Sequence, residues 1–191
     1  WAVGLRNSVT AGINFLMAPV MIWYLQGSGR EETESLIIAS IFMMFFSMIS
    51  LFLNPLIGWV GDRWHKEKVS SLCMLLGGVS IFMLLDRSGA LWQLAVFALM
   101  LAVADAANPL AWAMLGDYFG RENFATLQGW QHLPNQLMSM STPVWMGLIF
   151  DNTGSYYWAL IPCAVIYICS SLSYWTLKKP KMPLNNNLIR I

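Results

Sequence analysis

The sequence predicts an all-α membrane protein with six transmembrane helices, and three observations support that fold class. The 191 residues are 57% hydrophobic and only 11% charged, with a mean hydropathy of +0.54, whereas soluble domains carry roughly 25% charged residues. The charges fall in short clusters, and the stretches between them approach the roughly 20 apolar residues that cross a bilayer. No stretch alternates as a barrel strand of about 10 residues would, which leaves helices as the spanning elements.

Charge-poor stretches give the positions of the six spans within a transmembrane domain of residues 1–179, which a cytoplasmic tail, 180–191, follows. Aromatic pairs such as Trp23 with Tyr24 and Tyr174 with Trp175 stand near span ends, because amphipathic rings favour the membrane interface. The chain begins inside an apolar segment with a residue other than Met, so we expect a fragment or a trimmed chain. The predicted spans cover residues 2–26, 36–60, 69–85, 90–115, 124–150 and 156–177.

The distribution of basic residues predicts the orientation. Six spans place both termini on one side, and that side holds nine of the 11 Lys and Arg residues; the opposite loops hold only Arg30 and Arg87. The positive-inside rule therefore puts both termini in the cytoplasm. We expect a multi-pass protein of the plasma (inner) membrane, with the lipid bilayer as its first partner.

Polar side chains form stripes at helical spacing on four spans, the first, second, fourth and fifth. The third and sixth spans contain no charged residue, Asn, Gln or His. Polar groups at membrane depth normally face the bundle interior or a wet cavity, so we predict four helices lining a cavity and two packed outside it. For Ser and Thr, interhelical hydrogen bonding is the favoured alternative. The candidate substrate residues are Arg6, Asn14, Asp105, Asn108, Gln128, Gln131, His132 and Asn135.

Asp105 is the strongest single candidate. It lies near the middle of the fourth span, one turn before Asn108 and Pro109. Proline frees a backbone carbonyl, which is tolerated only beside protein or water, and a lone carboxylate at this depth is a functional-site hypothesis by default. Asp105 could carry a coupling proton, hold a cation, or pair with Arg6, although Arg6 lies nearer the cytoplasmic end. A structural hydrogen bond to a neighbouring helix is the alternative.

The ends of the second and fifth spans resemble each other. One reads Pro55-Leu-Ile-Gly58-Trp-Val-Gly-Asp62 and the other Pro143-Val-Trp-Met-Gly147-Leu-Ile-Phe-Asp151. Each closes the middle helix of a three-span unit, and the stripes repeat in the same order of striped, striped and plain. Inverted repeats of three plus three spans are a known transporter architecture.

Three loop motifs resemble those of the major facilitator superfamily, specifically its C-terminal six helices. The first has the family's Gly-x-x-x-Asp-Arg and trailing basic residues, but carries His65 where a second glycine is usual. The segment from Phe119 to Phe124 is similar to that of members that carry carboxylates such as oxalate, formate or monocarboxylates. The matching residues are Gly58, Asp62, Arg63, Lys66 and Lys68 in the first motif, Gly116, Asp117, Gly120 and Arg121 in the second, and Gly147, Asp151 and Gly154 in the third.

The resemblance implies helices seven to twelve of a secondary transporter working by alternating access, as a symporter or antiporter. Its partners would be a small solute, an organic anion by the mild preference that Arg6 gives, and the missing N-terminal six-helix half or a second copy. No cofactor is implied, and the proton is the first candidate for the coupling ion. Asp62 and Arg63 would belong to a cytoplasmic gate, with a charge-pair network among Asp62, Arg63, Asp117 and Arg121, unless these charges only anchor loops at the headgroups. The gating candidates are Gly58, Asp62, Arg63, Asp117, Arg121, Gly147 and Asp151.

Other classes of function find less support. A net charge of +1 gives no reason to expect nucleic acid as a partner. Cys73, Cys163 and Cys169 match no metal-ligand spacing, and a single His132 is a poor metal site. There is no Gly-x-Ser-x-Gly elbow, paired-His motif or intramembrane carboxylate pair, so we do not expect an enzyme. A non-transporting scaffold or receptor, and a half-transporter acting as a homodimer, stay open.

Overall fold

A computed structural model describes residues 2–86, 88–120 and 124–177, except for the side chains at 2–9, 11, 15, 134 and 138. All regular structure in these ranges is α-helical, which confirms the predicted fold class. The helices are α1 Ala2–Gln26, α2 Glu32–Arg63, α3 Lys66–Leu84, α4 Leu91–Ala106, α5 Asn108–Phe119, α6 Phe124–Thr153 and α7 Tyr157–Thr176.

The stretch predicted as one fourth span, 90–115, is divided between α4 and α5. The break lies at Ala107, with φ −75° and ψ 0°. Pro109 stands in the first turn of α5, where its missing N–H and fixed φ are tolerated. The break therefore sets Asp105 in the last turn of α4.

Length and apolarity qualify four helical stretches of the described residues to cross a membrane: Glu32–Arg63, Lys66–Leu84, Leu91–Phe119 and Tyr157–Thr176. In α1 the apolar stretch is the shorter Leu16–Gln26. At 30 residues α6 is long enough, but the polar stripe that predicts a cavity-lining role also makes it less apolar than the others.

The core is built by α3, α4, α7 and the C-terminal half of α1. Gly77 of α3 lets three helices meet, since a Cβ at this position would lie 2.8 Å from Cβ of Ala104 and 2.9 Å from Cε1 of Tyr167. Ser71 of α3 and Ser171 of α7 exchange hydrogen bonds, each Oγ donating to the other residue's carbonyl oxygen at 2.8 Å. Small residues and hydroxyl pairs of this kind are the usual means of close helix packing in membranes.

The sequence predicted that the striped helices line a cavity and that the two plain helices pack outside it, but the observed packing is different. The plain spans, α3 and α7, pack against each other and are well buried, while striped α2 exposes most of its length. Two serines of the α2 stripe, Ser40 and Ser47, donate to carbonyl oxygens of their own helix at 2.8 and 3.0 Å. These two hydroxyls thus take part in neither interhelical bonding nor a cavity in this chain.

One end of the bundle, which we call the far end, comprises the loops around Gly29, Gly89 and Gly154. Tyr24 Oη hydrogen-bonds Gln93 and Ser88, and Arg30 donates to the Gly89 carbonyl oxygen at 3.0 Å. Gly89 has φ +66° and touches Ser28 so closely that a Cβ would overlap it. These contacts tie the α1–α2 loop to the α3–α4 loop at the far end.

Candidate functional site

The carboxylate of Asp105 is joined to α1 across the bundle. Asn14 Nδ2 donates to Asp105 Oδ1 at 3.2 Å, and both residues are half-buried. The Asn14 amide oxygen is also buried and has no hydrogen-bond partner among the described residues. The structural alternative, a hydrogen bond to a neighbouring helix, is therefore present. The side chain of Arg6, the other candidate partner of Asp105, lies outside the described residues.

The polar stripe of α6 contributes an aromatic stack and buried amides. The exposed His132 ring stacks on Trp112 of α5, with centroids 5.5 Å apart and planes 23° from parallel. Gln131 Oε1 and Asn135 Oδ1 are buried, without a hydrogen-bond partner in the part of the chain that the structure describes. Buried amide oxygens need a hydrogen-bond donor, so these two are candidate contacts for a polar solute or water. Gln128 is half-buried on the same helix, and Asn108 is exposed at the α4–α5 break.

The second group of charged candidates lies at the opposite end of the bundle from the far end, which we call the basic end after Arg63, Lys66 and Lys68. Lys66 Nζ lies 2.8 Å from Asp117 Oδ2 and 3.3 Å from Asp62 Oδ1. One ammonium group thus connects the end of α2, the start of α3 and the end of α5. Lys66 precedes the predicted span 69–85, and the hydrogen bond to Asp117 is the main reason that its pKa is raised, so it is cationic at neutral pH.

Arg63, which we had placed in this charge network, has a different partner. Its guanidinium lies over the Trp59 ring, 4.3 Å from the centroid, an arrangement that attracts a cation to the ring face. Arg121 lies outside the described residues. The turn after Arg63 needs no second glycine, because Trp64 and His65 have φ of −111° and −82°. His65 therefore fits where the family usually has glycine.

A polar cleft of about 300 Å³ opens beside this network. It is lined by Asp62, Lys66, Glu67, Asp117 and Tyr118, with Met114 and the turn residues 63–65. Tyr118 donates a hydrogen bond to Glu67, a second link between α5 and α3. The cleft brings acidic and basic groups together at the protein surface, so its contacts can be exchanged for others at small cost.

The glycine candidates differ in what surrounds them. A Cβ at Gly58 or Gly147 would have no atom within 4 Å, so packing within the described chain does not require glycine at either position. A Cβ at Gly61 would overlap the δ-methyl groups of Leu110, so this glycine leaves room for the Leu110 side chain where α2 meets α5. Asp151 is exposed near the far end, one helical turn after Gly147 in α6 and at the opposite end of the bundle from Asp62 and Asp117.

Sequence reasoning missed three contributors at the basic end: the bridging role of Lys66, the bond between Tyr118 and Glu67, and Gly61. The signal for Lys66 was available, because it stands four residues after Asp62. The pairing of Tyr118 with Glu67 depends on how α5 meets α3, and no local pattern predicts it. Among the described residues, no group of three His, Cys, Asp or Glu side chains could hold a metal ion.

Comparison with family models gives one match, to the model described as Major Facilitator Superfamily, over residues 6–190. Comparison with curated proteins and with solved structures found no match. The family match covers nearly the whole chain and includes every loop in which the motifs lie. Together with the apolar helices, it identifies an integral membrane protein.

Proposed function

Because the chain belongs to the major facilitator superfamily, we propose that it forms the C-terminal six-helix half of a secondary carrier. The carrier moves a small solute, an organic anion of the carboxylate class, across a membrane by alternating access. Carriers of this kind bind their solute near the bilayer midplane, between two halves that rock around the site. The observation that carries the proposal is the half-buried hydrogen bond between Asn14 and Asp105, which joins α1 to α4.

The exposed face of α2 supports a second half as partner. In the most apolar stretch of α2, 11% of residues are buried within this chain, against 56% in α3. Large apolar side chains such as Met44, Phe45, Phe52 and Trp59 are at least half exposed along that face. A six-helix half encloses no two-sided cavity alone, so this face fits the N-terminal half or, as the alternative, a second copy.

Asp105 is the group proposed to carry the coupling proton. An ionisable residue at membrane depth marks an ion or substrate pathway. The Asn14 amide donates a hydrogen bond to its carboxylate, and the helix break at Ala107 follows two residues later. Gain or loss of one proton at Asp105 would alter the contact between α1 and α4, and with it the cavity between the helices.

Asp105→Asn in the complete carrier, reconstituted in proteoliposomes, tests this role. We expect uptake of labelled oxalate, formate or lactate driven by a pH gradient to fall more than about tenfold, because asparagine cannot carry the coupling proton. A factor of ten corresponds to about 1.4 kcal/mol. Exchange of the same solute without a gradient should persist, because asparagine keeps the hydrogen bond but not the proton. Asp86→Asn, a matched change at an exposed loop residue, should leave both within about twofold. Proton movement that accompanies the solute in the Asp105→Asn variant would refute the role.

The Lys66 network is the proposed cytoplasmic gate. Asp62 is 72% and Asp117 47% exposed, so both carboxylates are available to a helix of the other half. A carboxylate near a helix N-terminus gains typically 0.3–1 kcal/mol when exposed. If Asp62 meets such a helix in one state only, that difference biases alternating access.

Asp62→Asn tests the gate independently of the proton site. We expect severalfold slower transport and a shift in the ratio of inward-open to outward-open carrier, measured by cysteine accessibility from each side of the membrane. Glu34→Gln, which removes an exposed charge at the start of α2, is the matched control. Unchanged rates together with unchanged state populations would show that Asp62 only anchors its loop.

A further inference from the structure

We propose that the chain binds an anionic phospholipid in an apolar groove at the basic end, beside the polar cleft, with which the groove shares Trp64 and His65. The groove has a volume of about 530 Å³, within the range of roughly 300–1,000 Å³ typical of ligand sites. Residues of α2, α3, α4 and α7 line it. Nothing in the carrier mechanism proposed above makes use of this groove.

The walls of the groove are built for a hydrocarbon chain. Val69, Leu72, Cys73 and Leu76 lie at helical spacing on one face of α3 and line it together. Cys73 and Ile57 of α2 are buried, which places them at the floor, and Leu72 is 58% exposed at the rim. From Lys68 to Leu76 the helix rises about 12 Å, so the groove follows α3 from the headgroup level into the apolar part of the span.

The mouth of the groove is built for an anionic headgroup. Lys68 and His65 line it, and both are exposed donors. Trp64 and Trp175, 74% and 65% exposed, line the same mouth, and tryptophan rings favour the depth of lipid headgroups. No carboxylate lines the groove among the described residues; Asp62, Glu67 and Asp117 line the neighbouring cleft instead.

Charge complementarity selects the occupant. A basic group at the mouth of a hydrophobic groove between transmembrane helices suits an anionic phospholipid. The tail at 178–191 follows α7 directly, but it carries four basic residues and no acidic one, so its charge has the same sign as that of Lys68. The proposed second half of the carrier would cover the face of α2 that exposes Met44, Phe45 and Phe52. This groove lies at the other end of α2, where Ile57 and Val60 line it together with residues of α3, α4 and α7.

The test uses the complete carrier, purified, stripped of lipid and titrated in native mass spectrometry. The probes are phosphatidylglycerol and phosphatidylcholine with identical acyl chains. We expect wild type to retain one phosphatidylglycerol in preference to phosphatidylcholine, and Lys68→Gln to reduce that preference about fivefold, since a basic residue near an anionic surface contributes about 1 kcal/mol. Arg63→Gln removes a charge at the same end but outside the groove, and should leave the preference within about twofold.

Four results would overturn the proposal. Equal retention of the two lipids by wild type would show that there is no site for an anionic headgroup. This comparison uses the wild-type protein alone, so it does not depend on whether a variant folds. An unchanged preference in Lys68→Gln would place the anionic site elsewhere. Displacement of phosphatidylglycerol by inorganic phosphate or glycerol 3-phosphate at comparable concentration would show an anion site without a lipid groove. Leu76→Trp, which fills the inner groove, should weaken retention of both lipids, and unchanged retention would also contradict the groove.

Discussion

Helices α2 and α3 follow one another in the chain, joined only by Trp64 and His65, yet α3 is far more buried than α2. The more apolar of the two is α2, and only 11% of its most apolar stretch is buried; in α3 the share is 56%. In water the order would be reversed, because the hydrophobic effect drives the more apolar helix inward. In a bilayer lipid solvates apolar side chains as well as protein does, so apolarity alone does not decide which helix lies inside.

What distinguishes α3 is a set of small and hydroxyl side chains on the face that meets α7 and α4. Gly77 and Gly78 allow close approach, and Ser71 reaches across to Ser171. The exposed face of α2 instead carries large side chains such as Phe45, Phe52 and Trp59. Close packing thus follows small residues, while large apolar ones face lipid or another protein surface.

Gly77→Val is expected to have the largest effect, because it disturbs the close packing that distinguishes α3 from α2. The new Cβ would lie 2.8 Å from Ala104 Cβ and 2.9 Å from Tyr167 Cε1, and the two γ-methyl groups would add to the overlap. Overpacking of a dense core typically costs 1–3 kcal/mol. We expect a loss of that size in the free energy of unfolding, measured by denaturant titration in detergent micelles.

Gly58→Val is the matched control for this substitution. The same residue type changes in the same way inside a helix, so the difference in helix propensity cancels, but a Cβ at Gly58 meets no atom within 4 Å. The free energy of unfolding should change by less than about 0.5 kcal/mol. Equal losses at both positions would mean that α2 is packed as tightly as α3.

The sequence predicted the helical class and the loop motifs, because hydropathy and charge clusters are local signals. It did not predict the break at Ala107, since Pro19, Pro55 and Pro162 lie inside unbroken helices and a proline alone does not distinguish the two outcomes. The family match confirms the resemblance based on the loop motifs; the carboxylate-carrier subtype stays a prediction.

The side-chain partners were the hardest part to predict. Lys66 and Arg63 both stand within reach of Asp62 in sequence, and the path of the chain through Trp64 and His65 determines that Lys66 takes the carboxylates while Arg63 lies over Trp59. Such a turn follows from tertiary contacts between α2, α3 and α5. Composition and periodicity carry no information about it.

A smaller effect on the stability of the α3–α7 contact is expected at Ser71 and Ser171, the two serines that join these helices. Ser71 and Ser171 are buried and donate to each other's carbonyl oxygen, so a double-mutant cycle of Ser71→Ala and Ser171→Ala should give a coupling free energy. Interhelical hydrogen bonds in membranes average about 0.6 kcal/mol, with a maximum near 1.7, and the reciprocal geometry places this pair in the upper part of that range. The control cycle pairs Ser171→Ala with Ser47→Ala, whose hydroxyl donates to Met43 of its own helix, and its coupling should be zero within error. If the two cycles gave the same coupling, hydroxyl pairing would not distinguish α3 from α2, and the close approach at Gly77 alone would have to explain why the less apolar helix lies inside.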